Sequence, residues 1–214
     1  MIISRGRRYI FVHIPKTGGT AMALALEARA KADDILIGDT PKAVKRRGRV
    51  KKLAARGRLW KHSTLADIDG VVTSDELDDL LIFTLVRNPW DRVVSYYHWL
   101  RDQSFEHPAV SLAQRLGFDG FLRARHVQQS LQATPARHYV TGAAGNVRDA
   151  HFIRLEHLAE DLAPVEAHLG FALDIPQANA SDRETDYRGY YTNETAGIVA
   201  TICGEDITRF GYSF

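Results

Sequence analysis

A lysine, two threonines and two glycines crowd into "PKTGGT", residues 15–20, between the β-branched and aromatic run Tyr9–Ile14 and the mostly apolar "AMALALEARA". A loop joining a strand to a helix presents backbone N–H groups without carbonyl partners, and the helix dipole adds partial positive charge there. Gly18 and Gly19 let the backbone approach an anion closely. Lys16 adds a mobile cation, and Thr17 and Thr20 add hydroxyls. These are the parts of an oxyanion cradle, although a plain strand-to-helix turn with a surface lysine uses the same spacing. The GK[ST] ending that supplies the Mg²⁺-binding hydroxyl of a triphosphate loop is absent. A second stretch, "RNPWDRVVSYYHWL", residues 87–100, repeats the design: Arg87 follows the apolar run "LLIFTLV", and Ser95 falls two turns into the next expected helix. An arginine in that place can bond phosphate bidentately. Its other role is an ion pair, with Asp91 an obvious partner for Arg87 and Arg92. Ligands of open α/β sheets bind outside the carboxyl ends of the strands. Two such loops suggest a ligand with two separate phosphate groups.

The elements that must position these residues follow from pattern. Tyr9–Ile14, Leu80–Val86 and "HFIRLE" (151–156) read as buried strands. Thr20–Ala30 reads as a buried helix rich in Ala and Leu. Asn88 is placed to cap the next helix, with Pro89 at its first position and Trp90, Val93, Val94 and Tyr97 at helical spacing. The aromatics there read as core more than as a base-stacking platform. Residues 105–140 read as helical with breaks at Pro108, Gly117 and Pro135. Residues 156–170 read as a helix ending at Gly170 that Pro164 kinks or divides. The tail becomes helical near Thr192. In the basic run "KAVKRRGRVKKLAARGRLWK" (42–61), Gly48 and Gly57 argue against one continuous helix, and Ser63 or Thr64 reads as a cap for a helix after it.

With 214 residues, 45% hydrophobic and a formal net charge of +2, the chain reads as one α/β domain, residues 1–214, whose average charge says little about partners. One cysteine, Cys203, excludes an intrachain disulfide. Tyr9–Ile14 is too short for a signal segment, and no stretch approaches the ~20 apolar residues of a membrane span. The expectation is a soluble, cytoplasmic protein.

The paired motifs resemble those of sulfotransferases that use PAPS (3′-phosphoadenylyl sulfate): "PKTGGT" their 5′-phosphosulfate loop, "RNPWDRVVSYY" their 3′-phosphate motif. The Pro-Lys-Thr-Gly-Gly form, "IRLEHLAEDL" and the closing "DITRFGYSF" are similar to the carbohydrate-type, family-2-like branch. Residues 31–61 and much of 100–150 have no counterpart in that likeness. The resemblance implies a P-loop-like three-layer α/β fold with a central, mainly parallel sheet flanked by helices. It implies sulfuryl transfer from PAPS to an acceptor hydroxyl or amine, with 3′,5′-ADP as product. Lys16 would contact the phosphosulfate and support the leaving group. Thr17, Gly18, Gly19 and Thr20 would bind the 5′-phosphate, and Arg87 and Ser95 the 3′-phosphate. Arg183 is a further candidate for the nucleotide site, its plain role being an ion pair with Asp182 or Glu184.

Several carbohydrate sulfotransferases use a histidine between the two nucleotide motifs, and His62 is the histidine there. It is the candidate base, with His98, His107, His126, His138 and Glu156 as alternatives; His13 reads as structural. No Cys/His cluster has metal-ligand spacing, and no metal is expected. A saccharide is the expected acceptor. The run 42–61 is either a solvated loop or a flap for a polyanion; nucleic acid is not expected, since the segment interleaves few aromatics beyond Trp60. A nucleotide kinase and a non-catalytic nucleotide- or polyanion-binding module are the competing readings.

Overall fold

The computed structural model describes residues 1–176 and 183–214. Among them, five strands form one sheet: β1 (Ile2–Ser4), β2 (Tyr9–Val12), β3 (Ile35–Leu36), β4 (Leu81–Val86) and β5 (His151–Arg154), in the order β3-β1-β2-β4-β5. The strands β2, β4 and β5 run parallel, while β1 is antiparallel to both β2 and β3. Only β1 therefore points the other way, and the mainly parallel sheet expected from the sequence is present. The β2 and β4 runs are apolar almost throughout, as strands covered on both faces must be, whereas the edge strand β5 sets the less buried His151 and Arg154 around a buried Ile153. Phe11 pairs with Phe83, and Leu85 with Ile153, in register.

The helices are α1 (Gly19–Ala28), α2 (Pro41–Val50), α3 (Ser74–Asp79), α4 (Pro89–Arg101), α5 (Pro108–Arg115), α6 (Phe118–Arg123), α7 (Arg125–Ala133), α8 (Ala136–Tyr139), α9 (Leu158–Leu169), α10 (Asn193–Ile202) and α11 (Gly204–Phe210). The chain groups into two compact units, one of Met1–Val86 and Ala136–Asn179, the other of Arg87–Pro135 and Ala180–Phe214. In the first, Met22 and Leu26 of α1, Ala43 of α2, and Leu162 and Val165 of α9 pack on the sheet face that carries Tyr9, Phe11, Phe83, Leu85 and Ile153. Strand residues of the opposite parity, Ile10, Val12 and Ile82, are buried too. In the second, Trp90, Val93, Val94, Tyr97 and Leu100 of α4 form one core with α5, α6, α7 and α10. No helix of the described residues is long and apolar enough to cross a membrane.

Several local expectations are met for the reasons given. Asn88 Oδ1 accepts from Trp90 N at 3.1 Å with Pro89 at the first helical position, and Thr192 closes a capping box with Thr195. The breaks at Pro108, Gly117 and Pro135 separate short helices. Others need correction. The run 42–61 is, as expected, not one continuous helix, since α2 ends at Val50, but the helix does pass Gly48, because Thr40 caps Ala43 N, Pro41 starts the first turn, and Gly48 sits in the last turn, where its cost of roughly 1 kcal/mol is tolerated. No helix follows Ser63 or Thr64. Ser63 Oγ instead donates to the carbonyls of Arg58 and Trp60, and Thr64 and Asp67 bond each other reciprocally, so both residues brace a loop. The strand read as 151–156 ends at Arg154 and passes into a single 3₁₀ turn. Pro164 neither ends nor divides α9.

Candidate active site

In the first unit, β2 stops at Val12 and α1 begins at Gly19, leaving His13–Gly18 as the turn. Lys16 is held at φ +65° and Gly18 at φ +87°. The left-handed region disfavours a lysine by roughly 1–2 kcal/mol, a cost the surrounding turn imposes. Thr17 is buried, and its hydroxyl donates to the Ile14 carbonyl at 2.9 Å. That bond closes the turn, so what Thr17 offers an anion is its backbone N–H. Among the described residues, the N–H groups of Thr17, Gly18, Gly19 and Thr20 donate to no carbonyl; the first bonds at the start of α1 come from Ala21 and Met22 to the Gly18 carbonyl. Four donors at a helix N-terminus, with Lys16 beside them, suit an anionic oxygen cluster.

Gly19 has a steric role that the sequence did not disclose. A Cβ there would lie 2.1 Å from His13 Cδ2 and 2.4 Å from Nε2. The imidazole is 6% exposed and stacks on Phe11 with ring centroids 5.9 Å apart, so it has nowhere to retreat. Gly19→Ala should therefore destabilise the protein by about 1–3 kcal/mol through overpacking and distort the turn. Denaturant unfolding at neutral pH, with m unchanged, measures this; a midpoint equal to that of the wild type would refute it.

His13 also organises His62. The His62 Nδ1 lies 2.8 Å from the His13 carbonyl oxygen, which can only accept, so Nδ1 carries the proton and donates it. The neutral ring then keeps its lone pair on Nε2. The His62 ring packs edge-on against His13 at 4.6 Å and against Trp60 at 5.0 Å. Burial pulls the His62 pKa down to about 4; the hydrogen bond to His13 opposes this and the Lys61 ammonium adds to it. His13, also buried, is likewise held well below the usual histidine range by its burial. Lys61 Nζ meets Asp39 Oδ2 at 2.6 Å. Burial alone would raise the Asp39 carboxyl, but the Lys61 bond and charge, with a backbone hydrogen bond, together outweigh it and the net shift is downward. Thr20, Leu24, Asp39, Thr40, Pro41 and Lys61 line a cavity of about 290 Å³, which thus borders both the first turn of α1 and the chain neighbour of His62.

In the second unit, Arg87 Nε and Nη2 donate to Asp91 Oδ2 at 2.9 and 2.6 Å. Arg183 Nη2 donates to the other oxygen of the same carboxylate, Asp91 Oδ1, at 2.5 Å. The i,i+4 pairing of Arg87 with Asp91 was readable in the sequence. Arg183 was not: it reaches a residue 92 positions away rather than its neighbour Glu184, while Asp182 lies outside the described residues. Ser95 is buried one turn beyond Asp91 on α4. Of the other histidines, His107 is spent as the cap of α5, its Nδ1 accepting from Ala109 N at 3.1 Å. Among the described residues, no group of three or more His, Cys, Asp or Glu side chains is arranged to hold a metal ion.

No curated protein matches the chain in sequence. Among solved structures, that of mouse sulfotransferase SULT7A1 complexed with PAP superposes with a TM-score of 0.57 at 16% identity, covering 95% of this chain and 86% of that one. That likeness shows a shared fold. The family model described as "Sulfotransferase family" matches residues 1–212, nearly the whole chain. The chain belongs to the sulfotransferase family.

Proposed function

We propose that the protein transfers the sulfuryl group of PAPS to an acceptor hydroxyl, with His62 as general base and Lys16 stabilising the leaving group. The observation that carries this reading is the joint arrangement of the turn and His62. A row of backbone donors with a lysine includes a glycine packed on His13, and the carbonyl of that same His13 fixes the tautomer of His62. The mouse relative of like fold was solved with PAP. In the proposed assignment Lys16, Thr17, Gly18, Gly19 and Thr20 take the 5′ side of the nucleotide, and Arg87, Ser95 and Arg183 take its 3′-phosphate. PAPS supplies an activated sulfuryl group when bound. Nε2 of His62 accepts the acceptor's hydroxyl proton as its oxygen bonds to sulfur. The sulfur–oxygen bond to the phosphate breaks, and the Lys16 ammonium stabilises the charge left on the bridge oxygen. No step asks for a metal.

The acceptor in this reading is a saccharide. Its anionic portions would meet the 42–61 segment, where ten Lys and Arg stand without one Asp or Glu. On α2, Arg46 and Arg49 turn back to the carbonyls of Lys31, Asp34 and Ala32, while Lys45 and Arg47 are exposed. The reading includes a reducing, cytoplasmic setting, which the lone Cys203 fits.

The nucleotide assignment makes a direct prediction. Millimolar 3′,5′-ADP should raise the thermal midpoint by several degrees, as ligand binding to the folded state requires, and ATP should do so much less. No shift with 3′,5′-ADP would defeat the assignment. Mass spectrometry of an acceptor panel incubated with labelled PAPS identifies the acceptor class.

A further inference from the structure

The one carboxylate shared by two arginines is more than a surface ion pair. Asp91 is flanked by Arg87 at 2.6 Å and Arg183 at 2.5 Å, with the three side chains 19%, 15% and 9% exposed. One oxygen serves each guanidinium, so neither competes with the other for the same lone pairs. Asp91, Ser95 and His98 recur at i, i+4 and i+7 and so share one face of α4. Arg183 is bonded at the Asp91 end of that stripe. At the other end it is felt by His98, whose pKa is lowered by burial first, then by Arg101 and by Arg183. The Asp91 carboxylate that Arg183 bonds lies one helical turn before Ser95 on that face.

Two guanidiniums repel each other and are entropically costly to hold together. A carboxylate between them removes the repulsion and sets their spacing, as one anchor for two forks. An arginine fixed in this way presents planar donors without first being ordered, which is where preorganised sites gain affinity.

We propose that Asp91 is a positioning residue of the nucleotide site, holding Arg87 and Arg183 together beside Ser95 so that both guanidiniums meet the 3′-phosphate. This rests on the assignment of Arg87 and Ser95 made above, and it gives the tail residue Arg183 a defined place in that site. Asp91 itself touches no substrate.

The test compares 3′,5′-ADP with 5′-AMP, which differs only in lacking the 3′-phosphate, by calorimetric titration of the full chain. The wild type should prefer 3′,5′-ADP by about 10–100-fold, as charge-assisted bonds to one phosphate allow. Asp91→Asn keeps the side chain's size but removes its charge, and should cut that preference about tenfold while leaving 5′-AMP affinity within about threefold. A merely structural role for Asp91 would weaken both nucleotides alike. Should Asp91→Asn fold poorly, Arg183→Met, which removes the second guanidinium and leaves α4 intact, should lose the same preference selectively. A wild type that prefers 3′,5′-ADP, with the preference kept in both variants, overturns the inference alone. A wild type with no preference overturns the nucleotide assignment, and this inference with it.

Discussion

Replacing Lys16 by Met should lower kcat by about 10²–10³-fold, the usual loss when one donor aimed at a developing oxyanion is removed. The Kd for 3′,5′-ADP should rise by less than about tenfold. The asymmetry follows from when the charge appears. In the ground state the negative charge of a phosphosulfate is shared over many oxygens, and the N–H groups from Thr17 to Thr20 already face such an anion in the proposed site. In the transition state charge builds on the one bridge oxygen, and there an ammonium gains most. The backbone supports the role: Lys16 is held at φ +65°, a conformation that costs a lysine energy and that a chain adopts under compulsion from its surroundings. Methionine keeps the length and the strain and removes only the charge. Single-turnover kinetics at saturating PAPS, with calorimetry for 3′,5′-ADP, separate the two effects. Turnover preserved alongside a lost affinity would make Lys16 a ground-state ligand and leave the leaving group without its cation.

Much of this site was legible because its punctuation is local. The Pro-Lys-Thr-Gly-Gly turn sits between a β-branched run and an Ala-rich helix, and Asn88-Pro89 marks the start of α4 within two residues. Such signals need no tertiary information. Strands β1 and β3 are not legible since three and two residues leave no period to detect, and they exist because β2 supplies an edge for β1 and β1 in turn an edge for β3. The break in the basic run is legible, but it falls after Val50 rather than at Gly48, because the Thr40 cap and the Arg46 and Arg49 bonds tie α2 down in a way that intrinsic propensity does not show. The remaining misses are contacts between distant positions. His13 reads in the sequence as a core histidine, and its ring is indeed core. Its carbonyl, however, meets a ring 49 residues away, and its imidazole dictates Gly19. Arg183 finds Asp91 in the same long-range way. A glycine beside a phosphate-loop motif invites explanation by ligand approach alone; here a side chain behind it gives a second, independent reason.

Replacing His62 by Ala should lower kcat/KM by about 10²–10⁴-fold, the range for loss of a general base, with the Kd for 3′,5′-ADP unchanged within about threefold. The pH profile gives the sharper test. With its pKa pulled down to about 4 by burial, His62 is neutral in the free protein at every pH well above that value. Nε2 is then available, and kcat/KM should stay level from neutrality to about pH 5 and fall only as pH drops through about 4. A solvent-exposed histidine would begin to fail near 6.5. Bound phosphosulfate, being anionic, favours the protonated ring, so the acid limb of kcat should lie at higher pH than that of kcat/KM. This also answers the objection that so weak a base suits the reaction poorly: the substrate itself raises its basicity when catalysis needs it. Stability runs in the same direction and must be measured alongside. The folded-state pKa values of His62 and His13 both lie below the unfolded value, so their protonation favours unfolding. Stability is full above about 6.5 and declines as pH falls below it. Unfolding midpoints across the same pH range separate that decline from loss of the base. An acid limb near 6.5 without unfolding, or full turnover in His62→Ala, would remove His62 from the chemistry.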